Sequence, residues 1–153
     1  MDNLTHTLIG VSLASIVSNR RFGRGVLVVG AAVANLPDID IFIPRANIID
    51  AMTYHRGFTH SVVVETLAAP VIAFGASYLV RGAREHWVRF GLMIWLCLVT
   101  HALLDSLTTY GTQLFWPFDT GPPVAFASIF IIDPLFTLLL LAAVLIQIGR
   151  AHV

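Results

Sequence analysis

Phe90-Gly91-Leu92-Met93-Ile94-Trp95-Leu96-Cys97-Leu98-Val99-Thr100 carries no charge, and His101-Ala102-Leu103-Leu104-Asp105 follows it directly. A membrane helix needs about 20 mostly apolar residues, and residues 90–110 supply them. The same segment holds a histidine and an aspartate spaced i, i+4, which a helix places on one face about 6 Å apart. Ionisable groups in a membrane segment cost roughly 2.5–3.5 kcal/mol each at the helix centre, so they pair, line water or serve function. Two readings follow for His101 and Asp105: they chelate one cation, or they hydrogen-bond each other and tie two helices together.

Working outward, similar apolar runs occupy 4–19, 25–43, 60–80 and 127–148. Breakers separate them: Arg20 to Arg24, Pro44 to Thr59, Arg81 to Arg89, and Gly111 to Ala125 with Pro117, Pro122 and Pro123. The pattern predicts an all-α fold, a polytopic membrane helical bundle of about five helices. Composition agrees, since 57% of the 153 residues are hydrophobic and 12% charged, against about 25% charged in soluble domains. Mean hydropathy is +0.82. Acids and bases balance at 9 each, which removes the electrostatic case for nucleic acid. The single cysteine, Cys97, allows neither a disulfide framework nor a thiolate metal site.

One domain is expected over 1–147, with residue 1 onward as mature protein because no secretory leader is recognisable. The closing run 148–153, Ile148-Gly149-Arg150-Ala151-His152-Val153, matches what a sequencing adapter encodes in one frame. The natural protein is therefore expected to continue further, and Arg150 and His152 are kept out of the functional argument.

All cations are arginines. Six of them (Arg20, Arg21, Arg24, Arg81, Arg84 and Arg89) fall after the first and third segments, against two (Arg45 and Arg56) in the alternate connections. Positive loops stay cytoplasmic, so the 44–59 and 111–126 connections are expected outside. That topology gathers His6, Asp38, Asp40, His55, His60, His101 and Asp105 in one leaflet. Asp38 and Asp40 follow Pro37, which ends or kinks a helix; they read either as carboxylates bridging cations or as a capped turn. Tyr54-His55-Arg56-Gly57-Phe58-Thr59-His60-Ser61 sets two histidines around an arginine. Histidine is the commonest metal ligand, and the arginine fork suits phosphate or carboxylate oxygens. Thr59 or Ser61 is expected to cap the next helix. Asp133 before Pro134 reads first as another cap, and His86 falls on the opposite side.

His/Asp ligation without cysteine suits zinc first, with manganese as the alternative. Seven candidate ligands exceed the need of one tetrahedral ion, so one or two ions are expected. The motifs Asp2 to His6, Leu36-Pro37-Asp38-Ile39-Asp40, His55 to Ser61, His101 to Asp105, Tyr110-Gly111-Thr112 and Trp116-Pro117-Phe118 resemble the YdjM-like family of bacterial inner-membrane proteins, described as metal-dependent hydrolases. That family is distantly similar to zinc-dependent phospholipase C and fungal single-strand nucleases. The similarity implies His6, Asp38 or Asp40, His55 or His60, and His101 with Asp105 as ligands. Beyond Asp105 those enzymes carry further histidines, where this chain has Gly111 and Asp133, and their N-terminal tryptophan is missing.

The expectation is a membrane-bound metal-dependent hydrolase of the bacterial inner membrane, multi-pass, cleaving a phosphate ester, with a lipid among the candidate substrates, at the outer side. Arg56 and Asp105 would be its catalytic residues, and its partners the bilayer and the phosphate-ester substrate. The alternative is a non-catalytic membrane protein with a structural or transport metal.

Overall fold

The computed structural model describes residues 1–18, 21–44, 46–47, 55–118 and 121–151. Arg20, Arg45, Tyr54 and His152 lie outside the described residues. The fold is all-helical: α1 is Asn3–Ser18, α2 Gly25–Ala34, α3 Val62–Ala76, α4 Trp87–Ser106 and α5 Pro134–Ala151, with 3-10 turns at Pro37–Phe42 and Phe58–His60. Among the described residues the only β pairing is the isolated bridge Thr112 to Val124.

Boundaries follow local chemistry. Pro37 lacks an N–H and disfavours a helical residue before it. The segment read as 25–43 therefore stops at Ala34 and restarts as a tighter turn. Ser61 caps α3, accepting from Val64 N at 3.5 Å. Asp133 caps α5, accepting from Phe136 N at 3.0 Å.

Length separates the helices. α4, with 20 residues, is the one described helix long and apolar enough to cross a membrane, at about 30 Å. α1, α2, α3 and the Pro134–Gln147 part of α5 are apolar but shorter. Among the described residues the five expected spans thus become one span-length helix and four shorter apolar ones.

α4 is the central post: Phe90, Met93, Ile94, Cys97 and Leu98 on it are fully or almost fully buried. α1 and α2 cross so closely that a methyl group on Gly10 would meet the Gly30 carbonyl, and one on Gly30 the Gly10 carbonyl. Ala14 and Ala34, each four residues on, continue the two small-residue stripes. Small residues spaced by four are how helices approach where the surroundings are already apolar.

The described parts of the next connection, residues 111–118 and 121–126, fold back over one end of the bundle. Thr112 and Val124 exchange backbone bonds at 3.0 and 2.9 Å, Gln113 N donates to Arg56 O at 3.1 Å, and Val62 N donates to Leu114 O at 3.0 Å. Gly111, at φ 76°, makes the turn into this loop, a conformation that costs glycine little. The loop thereby fastens Arg56 and the start of α3 to the end of α4.

Candidate metal centre

Four elements end at the same place. α2 gives way to the turn bearing Asp38, the second 3-10 turn delivers His60 at the threshold of α3, and the last turns of α4 present His101 and Asp105. Asp38, His60, His101 and Asp105 each offer one ligand atom, and these four atoms lie within 4.8 Å of one another. His60, His101 and Asp105 are at most 1% exposed.

The tautomer of His101 is set from behind. His101 Nδ1 donates to the Ala34 carbonyl at 2.6 Å, one of the carbonyls a helix end leaves without an internal partner. Its Nε2 is therefore a bare lone pair. Thr59 Oγ1 stands 3.0 Å from His60 Nδ1; with Nδ1 donating there, His60 Nε2 is bare as well.

These two nitrogens face each other at 3.1 Å. Asp38 Oδ1 is 3.3 Å from His60 Nε2 and 3.5 Å from His101 Nε2. Asp105 Oδ2 is 3.4 Å from the first and 3.7 Å from the second. Four electron-pair donors pointing at one another repel unless something positive sits between them. Tetrahedral ligands at about 2.0–2.2 Å from zinc have their donor atoms about 3.3–3.6 Å apart, close to these five separations, while the sixth, Asp38 to Asp105, lies within 4.8 Å. The donor set fits a divalent ion.

Charge gives the same answer. Asp38 and Asp105 bring two carboxylates to the cluster and Asp40 a third at its edge, against the Arg56 guanidinium and the Met1 nitrogen that touch Asp105; the centre keeps a negative excess, and buried charge needs compensation. Arg56 Nε is 2.9 Å from Asp105 Oδ2, although off the axis of a hydrogen bond, so that pairing is electrostatic. Its Nη1 donates to Thr108 Oγ1 at 2.9 Å, and the guanidinium lies 5.0 Å from the Tyr110 ring centre. Burial lowers the Arg56 pKa from its ordinary value, but a guanidinium stays charged. Its backbone is held at φ 62°, a sparsely populated region costing on the order of 1–3 kcal/mol outside glycine. Asp40 Oδ2 accepts from Arg56 N at 3.3 Å, and Gln113 N bonds its carbonyl.

Of the seven expected ligands, four form this cluster and three border it. His6 Nε2 is 3.3 Å from Asp105 Oδ1, its ring stacks on His101 with centres 3.7 Å apart, and its buried Nδ1 has no hydrogen-bond partner. The Met1 nitrogen also contacts Asp105 Oδ1. Asp40 turns away from the four and accepts from His55 Nδ1 at 3.0 Å. The His55 ring is 27% exposed and edge-on to His60 at 5.6 Å. The two expected catalytic residues, Arg56 and Asp105, are in direct contact. Sequence reasoning passed over Thr108 and the Ala34 carbonyl; the i, i+3 spacing of Thr108 from Asp105 was the available signal for the first.

The family model described as "YdjM inner membrane protein" matches residues 1–152. The Bacillus subtilis (strain 168) protein YfhP is 31% identical over 153 residues, covering 95% of this chain and 46% of YfhP. The Escherichia coli (strain K12) "Inner membrane protein YbcI" is 30% identical over 119 residues, covering 74% of this chain and 64% of YbcI. The chain thus spans between about half and two thirds of the length of these relatives. No solved structure matches.

Proposed function

The chain belongs to the YdjM inner membrane protein family, and we propose that it is a membrane-bound metal-dependent hydrolase acting on a phosphate ester. The observation that carries this reading is the buried convergence of Asp38, His60, His101 and Asp105, with the Arg56 guanidinium against Asp105. Zinc suits two imidazoles and two carboxylates, with manganese as the alternative. When bound, a divalent ion supplies Lewis acidity that polarises a phosphoryl oxygen and acidifies water.

The chain's own groups do the rest. Asp105 holds a ligand oxygen on the cluster while Arg56, fixed by Asp105 and Thr108, supplies positive charge beside it, where a phosphoryl group gathers negative charge. Asp38, whose side chain is 12% exposed, marks the open side of the otherwise closed cluster. Asp40 orients His55 through Nδ1, which leaves His55 Nε2 on the rim as a group able to hold or pass a proton. A second ion, if bound, would draw on Asp40 and His55. The arginine bias assigns this end of the bundle to the outer face of the inner membrane, in a multi-pass arrangement.

Burial favours a second reading, in which the ion is structural and joins the ends of α2, α3 and α4 without chemistry. Purified protein assayed against phosphomonoesters, phosphodiesters and phospholipids, with metal quantified in the same sample, separates the two. Turnover that is lost with the metal supports the hydrolase. Stoichiometric metal with no turnover on any of the three classes supports the structural role.

A further inference from the structure

Glu65 lies on α3, one turn beyond the cap, and is 3% exposed. Neither of its carboxyl oxygens has a hydrogen-bond partner. It forms part of the wall of a cavity of about 160 Å³, whose other walls include Leu36, Pro37, Ile39, Phe58, Ile72 and Leu98. That is the size of an engineered apolar cavity, about 150 Å³, known to take benzene. A lone ionised carboxylate in such surroundings is costly, so the group carries a proton or meets a cation when the cavity fills. A protonated carboxyl is a hydrogen-bond donor with nothing here to donate to.

The cavity abuts the metal centre. Pro37 adjoins Asp38, and Thr59, a further wall residue, touches His60 Nδ1. Its rim residues Ile39 and Phe58 are each more than half exposed, as are Leu67 and Val71 on the outer side of α3. An apolar surface continues into an apolar cavity with one donor inside, in an inner membrane protein. A chain with one acceptor at its end has the matching chemistry.

We propose that this cavity receives the acyl chain of an ester lipid, with the Glu65 carboxyl donating a hydrogen bond to the lipid's ester carbonyl. The inference deepens the phosphate-ester reading and rests on it for the other end of the lipid. The cavity itself is tested without reference to turnover.

The experiment uses the detergent-purified, metal-loaded chain and phosphatidic acids bearing a photoreactive diazirine on the chain, one ester-linked and one ether-linked. Crosslinks are mapped by mass spectrometry. The ester probe should label the cavity walls at 36–39, 58–59 and 64–72, and exceed the ether probe by about two- to tenfold, the worth of one net hydrogen bond of 0.5–1.5 kcal/mol. Glu65→Gln keeps a donor and should keep the preference; Glu65→Leu should abolish it. Ala68→Trp should block labelling while metal content stays at the wild-type level, and should this variant not fold, the ester-to-ether ratio in the wild type still decides. Labelling spread evenly over the outer helix faces, equal labelling by the two probes, or loss of ester labelling in Glu65→Gln as expected for a cationic occupant, each overturns the proposal. A diacylglycerol probe labelling as well as the phosphatidic acid supports the chain site while removing the phosphate from the reading of the metal centre.

Discussion

Asp105→Asn removes one negative charge from a group that touches both ligand histidines and the arginine of the centre. Its Oδ2 lies 3.4 Å from His60 Nε2, 3.7 Å from His101 Nε2 and 2.9 Å from Arg56 Nε, and its Oδ1 lies 3.3 Å from His6 Nε2. The amide is nearly isosteric, so packing around the fully buried side chain should survive. The change replaces an anionic ligand oxygen by the neutral oxygen of an amide and lowers the carboxylate count around the centre from three to two. Loss of an outer-shell partner typically costs 10–100-fold in metal affinity. Loss of a charged ligand should exceed that, so the expected effect is more than about 100-fold, or roughly 2.7 kcal/mol at 1.36 kcal/mol per decade. Competition titration against a chromophoric zinc chelator reads this range, with bound metal measured independently. His55→Ala is the control: its ring pairs with Asp40 outside the four-donor set, and its affinity should stay within about tenfold of wild type. Wild-type affinity in Asp105→Asn, or a larger loss in His55→Ala, would refute the assignment of the ligands.

Arg56→Lys keeps the charge but loses the fork that reaches Asp105 and Thr108 together; metal should remain bound while phosphoesterase turnover falls by tenfold or more, measured as kcat on purified protein. Gly30→Val should lower the thermal midpoint, because its side chain would enter the Gly10 carbonyl, and overpacking of this kind costs about 1–3 kcal/mol; an unchanged midpoint would place the α1–α2 crossing elsewhere. For topology, a cysteine at Asn47 should react with an impermeant thiol reagent in intact cells and one at Glu85 should not, both positions being exposed on the molecule. The reverse labelling would put the centre on the cytoplasmic side.

What the sequence made legible was what depends on helical spacing. His101 and Asp105 at i, i+4 meet as expected, because one regular helix fixes their relation. Helix identity was legible from apolar runs for the same reason. The choice between Asp38 and Asp40 was not, since it turns on the 3-10 geometry after Pro37. At three residues per turn, positions two apart point about 240° around the axis from each other. Asp38 therefore faces His60 and His101 while Asp40 faces His55. His55 and His60 part company similarly, divided by the left-handed backbone at Arg56. Helix ends were the hardest to place: the end of α2 at Ala34 supplies the carbonyl that sets His101, a backbone role with no residue signature. Glu65 drew no notice, because a single acid in an apolar run acquires meaning only when tertiary packing strips it of partners.

Metal analysis of the detergent-purified chain beside its His101→Ala variant puts the four-donor centre to the test. His101 contributes one of the four donors and is held by Ala34, so the account predicts about one equivalent of a divalent metal in the wild type and almost none in a variant that still folds. A wild-type chain purified without chelators that carries no metal, or a variant that retains as much as the wild type, would contradict it.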